Sequence, residues 1–183
     1  MLKMLSKTIT KEIKVLKQPF SSIVITSSDD FNEVVLDLVK SIGSNATIVM
    51  VSFNKPSSTF ENIFKGKTKS DIFYVDLVTQ VATGEPQKKE NVVFLASQRN
   101  LTDLSITLSE VLNRLEGKKF VILDSLTTML LYNDSSTTTQ FLQFLANRLR
   151  LWNTSSFILT MEGKGEEEVI RVVSQVVDKT IKT

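Results

Sequence analysis

Stretches that are apolar at nearly every position alternate along the chain with stretches that are apolar at every third or fourth. SSIVITS (21–27), ATIVMVSF (46–53), SDIFYVDLV (70–78), NVVFLAS (91–97), FVILD (120–124) and SSFILTM (155–161) read as strands rich in β-branched and aromatic residues. Between them, residues 29–43 carry Phe31, Val34, Val35, Leu38 and Ile42 at helical spacing, with Gly43 as the natural stop. A short helix is expected over 56–64. Longer ones are expected over 101–116 (Leu101, Leu104, Leu108, Val111, Leu112, Leu115) and 137–152 (Phe141, Leu142, Phe144, Leu145, Leu149, Trp152). A last amphipathic helix over 166–178 uses Val169, Ile170, Val173, Val176 and Val177.

Strands with no polar alternation must be covered on both faces, and regular strand–helix alternation supplies helices for both sides of a parallel sheet. The expected fold is α/β: a three-layer α/β/α sandwich with a mostly parallel central sheet of about six or seven strands. One domain is expected over 21–183, preceded by a basic segment, 1–20, packing on it or extending from it. In that segment Leu2, Leu5, Ile9, Ile13 and Leu16 recur at helical spacing, with lysines mostly between them. It reads as an amphipathic helix on the domain. An edge strand through Ile9, Ile13 and Val15 is an alternative, and a peripheral membrane contact through residues 1–17 is a less favoured one.

Composition narrows the chemistry more than it names it. The 183 residues include no Cys and no His. Thiolate metal sites, cysteine nucleophiles, Ser-His-Asp triads and His-ligated metals are therefore excluded. Acid–base work would fall to Asp, Glu, Lys or Tyr, and any metal would be a hard cation on oxygen. Twenty-two basic against 20 acidic residues, net +2, gives little reason to expect a nucleic-acid partner. No apolar run reaches the roughly 18 residues of a membrane span, and the start has no signal-peptide h-region, so the expected compartment is the cytoplasm.

Ligands of doubly wound sheets sit at the carboxyl ends of the strands. After the first strand come Ser27, Ser28, Asp29 and Asp30, where a phosphate-binding loop would hold glycines and a Gly-Lys-Ser/Thr ending. Asp30-x-x-Glu33 reads as a capping box that occupies the helix N-terminus with the chain's own carboxylates. A second reading has Asp29 and Asp30 hold Mg²⁺. Asp124 and Ser125 end the fifth strand, and they read either as caps of the following turn or as parts of a cleft.

The run Pro19-Phe-Ser-Ser-Ile-Val-Ile-Thr26 resembles the segment entering the Walker A loop of KaiC-like members of the RecA superfamily. Val51-Ser52-Phe53 resembles the start of that family's Val-Ser-Phe-Glu-Glu. Phe120-Val-Ile-Leu-Asp-Ser125 resembles its Walker B strand, Phe157-Ile-Leu-Thr-Met-Glu162 the strand that follows, and Val177-Asp178 an Asp before its next strand. The pieces occur in order over nearly the whole chain. The resemblance implies a RecA/KaiC-like fold, ATP with Mg²⁺ beside Asp124, and subunits that assemble into rings. The departures imply otherwise for chemistry: Gly-Lys-Thr is absent, and Asn54 and Lys55 stand where the Glu pair would polarise water.

A non-catalytic, pseudo-ATPase member is therefore expected, acting in regulation, signalling or scaffolding with a protein partner or as a homo-oligomer. No cofactor and no metal are expected, Asp124 being the ligand only if Mg²⁺ does bind. Two alternatives stand beside it. One is an enzyme or sensor for a nucleotide or other small molecule, in a cleft of Ser27, Ser28, Asp29, Asp30, Asn54, Lys55, Asp124 and Ser125. The other is a DNA-recombination accessory using Lys65, Lys67 and Lys69, which otherwise form a solvated basic patch. Gly163-Lys164-Gly165 superficially suggests an anion nest, but Glu166, Glu167 and Glu168 follow it, so it reads as a capped helix start.

Overall fold

The computed structural model describes residues 9–13, 15–163 and 165–183. Seven strands are β1 (Ser21–Thr26), β2 (Ala46–Ser52), β3 (Asp71–Asp76), β4 (Val92–Phe94), β5 (Lys118–Asp124), β6 (Thr154–Met161) and β7 (Lys179–Lys182). They form one sheet in the order β4-β3-β2-β5-β6-β1-β7, and every pairing between them is parallel. The helices are α1 (Phe31–Ile42), α2 (Ser57–Phe64), α3 (Thr79–Thr83), α4 (Leu101–Arg114), α5 (Leu126–Tyr132), α6 (Ser135–Leu151) and α7 (Glu167–Val173).

The pleat divides the apolar strand residues between two cores. Ile23, Val49, Val51, Val75, Val121, Leu123 and Ile158 face one side, where Leu104 and Leu108 of α4, Met129 of α5, Leu142 and Leu145 of α6 and Val169 of α7 close over them. Val24, Ile48, Met50, Phe120, Ile122, Phe157 and Leu159 face the other, under Val34, Val35 and Leu38 of α1 and Phe60 of α2. Complete burial of a side chain such as Leu38 contributes about 2 kcal/mol, and the central strands bury such residues on both faces. This is the expected three-layer sandwich.

Four elements depart from the sequence expectation, the first being α3, a five-residue helix between β3 and β4 that no sequence pattern announced. The last helix is regular only over Glu167–Val173, and the chain then turns into β7. That strand carries no apolar run, because only Ile181 among Lys-Thr-Ile-Lys is buried. The segment after β5 forms α5, capped by Ser125. Residues 9–13 are helical, with Ile9 and Ile13 buried in the core beside α1, so the edge-strand alternative fails there. Val15 is exposed, Leu16 packs against that core, and Glu12 pairs with Lys179 of β7 at 2.8 Å. The expectations placed on Leu2 and Leu5, on the lysines at positions 3, 7 and 14 between the apolar residues, and on Lys164 lie outside the described residues.

Candidate functional site

Parallel register brings three polar side chains into one row at the carboxyl edge of the sheet. Ser52 of β2 is aligned with Asp76 of β3 on one side and with Asp124 of β5 on the other. All three have the strand parity of Ile48, Met50 and Ile122, so they face the α1–α2 side. All three are 0% exposed.

Both carboxylate oxygens of Asp124 are buried without a hydrogen-bond partner among the described residues. Burial pushes its pKa from 3.8 up to about 7, against the opposing pull of the Lys55 ammonium. The turn-capping role expected of Asp124 is therefore absent. Ser125 does cap: its Oγ accepts the Thr128 amide at 3.3 Å and shares a hydrogen with the Thr128 hydroxyl at 3.1 Å, which fixes the start of α5.

Asp76 is the opposite case, and sequence reasoning missed it. One oxygen accepts from the Ser57 amide (2.7 Å) and the Thr79 hydroxyl (2.7 Å), the other from the Val78 and Thr79 amides (2.8 Å each). Burial alone would raise its pKa, but these donors hold it below the usual 3.8. The signal was present: Asp-x-x-Thr directly after the apolar run Phe73-Tyr74-Val75 is a strand end followed by a side-chain-capped turn.

Only Ser27, Ser28, Asp29 and Asp30 separate β1 from α1. A Walker A loop has eight motif positions from its first Gly to its Ser/Thr, so here the loop is shortened as well as altered. The capping box does not form. Asp30 makes no side-chain bond to the first turn of α1, its Oδ2 instead accepting from the Ser27 hydroxyl at 2.9 Å, while Ser27 Oγ accepts the Asp30 amide at 3.2 Å. Ser28, Asp29 and Glu33 are exposed.

Lys55 reaches this place from the β2–α2 connection. Its Nζ donates to Asn32 Oδ1 at 2.6 Å and lies 5.8 Å from the centroid of the Phe31 ring, both in the first turn of α1. Asn54, its neighbour, is exposed. The fold thus gathers Asp124, Lys55 and the β1–α1 connection at one end of the sheet, while Ser125 is committed to α5. Of the parts a Mg²⁺–ATP site needs, one carboxylate is present. The loop that would bring phosphate-binding amides and a hydroxyl co-ligand is too short, and the nearby Lys55 adds a positive charge, so these residues do not fit the metal or its nucleotide. Among the described residues, no group of three or more carboxylates could hold a metal ion.

The remaining expectations sort cleanly. Lys65, Lys67 and Lys69 are exposed together between α2 and β3. Glu167 and Glu168 are exposed in the first turn of α7, but Glu166 is buried and provides no side-chain cap, contrary to a capped start. Asp178 is structural: its Oδ2 accepts from the Ser21 amide at 2.8 Å and from Arg150 at 3.0 Å, joining the head of β1 to α6. A cavity of about 590 Å³ opens at the ends of β1, β6 and β7. Ile25, Met161 and Ile170 give it apolar walls, and Glu162, Glu167, Arg171 and Lys182 give it charged ones. None of the expected cleft residues lines it.

A parallel seven-stranded sheet with helices on both faces and strand-end polar residues places the chain in the RecA-like α/β/α class. The chain belongs to the family described as "Family of unknown function (DUF7504)", which it matches over residues 23–183. No curated protein matches it. Among solved structures, a Pyrococcus horikoshii OT3 protein is similar with a TM-score of 0.62 at 10% identity, over 96% of this chain and 87% of that one. The cytoplasmic domain of the Thermomonospora curvata type VII secretion ATPase EccC aligns at TM-score 0.48 and 10% identity, over 86% of this chain and 18% of that one. The Aeropyrum pernix ORC1 protein, solved in complex with DNA, aligns at 0.49 and 12%, over 99% and 43%. Only the first of these supports the fold, and none carries a function across.

Proposed function

We propose that this chain is a non-catalytic, KaiC-like member of the RecA superfamily that works as a regulatory or scaffolding subunit through protein contacts. The observation that carries this reading is the four-residue β1–α1 connection, Ser27 to Asp30, which is too short to wrap a phosphate and brings two carboxylates instead of a lysine. Asn54 and Lys55 add to it, since they stand where the resembled family has the Glu pair that polarises the attacking water. Cytoplasmic action fits the chain, which has no helix among the described residues long and apolar enough to cross a membrane.

Calorimetry with ATP and Mg²⁺ tests the reading, with Asp124→Ala as control. The expected result is no heat of binding and no turnover for either protein. ATP hydrolysis that disappears in Asp124→Ala would refute it.

A second reading, a small-molecule sensor, is favoured by the cavity at the ends of β1, β6 and β7, which has the size and mixed lining of a ligand site. It moves the ligand away from Asp124 and onto Arg171 and Lys182. A metabolite screen by thermal shift, repeated on Arg171→Ala, separates the two readings.

A further inference from the structure

Residues 135–147, SSTTTQFLQFLAN, contain no Asp, Glu, Lys or Arg, although they make up about three and a half turns of α6. Ser135, Ser136, Thr137, Gln140, Phe144 and Asn147 are nevertheless exposed. A helix that faces water ordinarily carries charge on that side. The other outer helices do so, through Glu33 and Lys40 in α1, Asp103, Glu110 and Arg114 in α4, and Glu167, Glu168 and Arg171 in α7.

The polar side chains of this face are satisfied by their own helix. The Thr137 hydroxyl donates to Asp134 at 2.7 Å, the Thr139 hydroxyl to the Ser135 carbonyl at 2.7 Å, and the Gln140 amide to the Ser136 hydroxyl at 3.3 Å. A partner can cover them without leaving these donors unmet. Phe144 is 47% exposed, with the Arg148 guanidinium 5.9 Å from its ring centroid. It borders a groove of about 310 Å³ between α4 and α6, walled by Thr102 and Ser105 on one side and by Thr137, Gln140 and Phe141 on the other.

Resting on the reading of a subunit that works through protein contacts, we infer that this face of α6 docks on the same face of a second copy of the chain, the two helices antiparallel about a two-fold axis. Near such an axis a residue meets its own counterpart, so a charged face would oppose like charges. An uncharged face does not. The charges that bound the stretch have opposite signs, Asp134 before it and Arg148 after it. With the axis at the level of Phe141, Asp134 of one copy comes opposite Arg148 of the other. The same register sets Phe144 at the level of Thr138 in the other copy, between Thr137 and Gln140 on the groove wall. One alignment therefore pairs the charges and seats the phenyl ring. The two most exposed leucines, Leu131 and Leu151, stand at opposite ends of the helix, and antiparallel pairing brings those ends together.

Sedimentation equilibrium over a range of protein concentrations tests the proposal. Wild type should show a monomer–dimer equilibrium. Phe144→Glu and Gln140→Glu, both at exposed positions, should each weaken it at least about tenfold while leaving circular dichroism and melting unchanged. The chain has no cysteine, so Gln140→Cys adds a single reactive thiol. A short bis-maleimide should join two copies of that variant and should not join Lys65→Cys, which follows α2 on the opposite face of the sheet. If either glutamate variant loses its fold, the crosslink decides, and its failure refutes the pair.

A wild type that stays monomeric at every concentration overturns the proposal, and so does a dimer that both glutamate variants leave intact. Either result leaves the regulatory reading standing, with a different protein on this face or a different face in use. ATP turnover would defeat that reading and leave the two-fold pair to be judged on its sedimentation alone.

Discussion

Asp76 and Asp124 flank Ser52 in one row of the sheet, equally buried and on the same face, yet among the described residues one is surrounded by donors and the other by none. Asp76 accepts four hydrogen bonds that tie β3 to the starts of α2 and α3. Asp124 accepts none among the described residues, and the one charge that pulls on it is the ammonium of Lys55 from the β2–α2 connection, set against the opposing effect of burial. A buried carboxylate that stabilises the fold and one that strains it can therefore sit one strand apart. What distinguishes them is the chain that follows. After Asp76 it turns back over its own carboxylate with Val78 and Thr79, whereas after Asp124 it leaves directly into α5 under the Ser125 cap.

The largest expected effect lies on the Asp76 side. Asp76→Ala leaves three amides and a hydroxyl without an acceptor, and should cost roughly 5 kcal/mol in denaturant unfolding. A loss below about 1 kcal/mol would mean that water replaces the carboxylate.

Asp124→Asn should act in the other direction. The rise from 3.8 to about 7, at roughly 1.4 kcal/mol per pH unit, corresponds to a gain of up to about 4 kcal/mol at pH 8. At pH 4 the variant and wild type should be nearly equal, because the wild-type carboxyl is then already protonated. A variant less stable than wild type at pH 8 would show that burial does not outweigh the pull of Lys55 on that carboxylate.

The same comparison sets the shape of the pH profile. A raised folded pKa contributes stability that is complete below about 4 and lost as pH rises to about 7, as for Asp124. A lowered one contributes stability present above the ordinary 3.8 and lost as pH falls through the folded value, as for Asp76. Thermal melts from pH 3 to pH 8 should therefore pass through a maximum on the acid side of neutrality. Asp124→Asn should flatten the neutral limb and leave the acid limb in place.

The smallest effect belongs to Ser125. Ser125→Ala removes the cap of α5 and should cost about 1 kcal/mol by the same denaturant measurement. It should leave the Asp124 limb of the pH profile unchanged, because Ser125 does not touch that carboxylate.

Much of the frame could be read before any coordinates. Buried strands such as FVILD and ATIVMVS announce themselves because they carry unbroken apolar runs (residues 120–123 and 48–51), and α1 because Phe31, Val34, Val35 and Leu38 share a face. β7 could not be read, since a four-residue edge strand buries one side chain and has no period to detect. The candidate site was legible in part. The missing phosphate loop and the lysine at position 55 were plain from the residues. Asp76 was passed over although Asp-x-x-Thr after its apolar run marks a capped turn; that pattern gives the local donors Val78 and Thr79 but not the Ser57 amide, which only the fold brings to it.

The division follows from the range of the forces involved. Burial and strand–helix alternation act between residues near in sequence, so the sequence by itself determined the layered α/β class, the parallel sheet and the loss of the phosphate-binding loop. Register across separate strands is a long-range property. Only the tertiary structure decided that Asp76, Ser52 and Asp124 form one row, that the Asp30 carboxylate turns to Ser27 instead of capping α1, and that Lys55 reaches the first turn of α1. Those choices depend on which polar groups packing leaves within about 3 Å of one another, and a linear pattern of residues does not contain that distance.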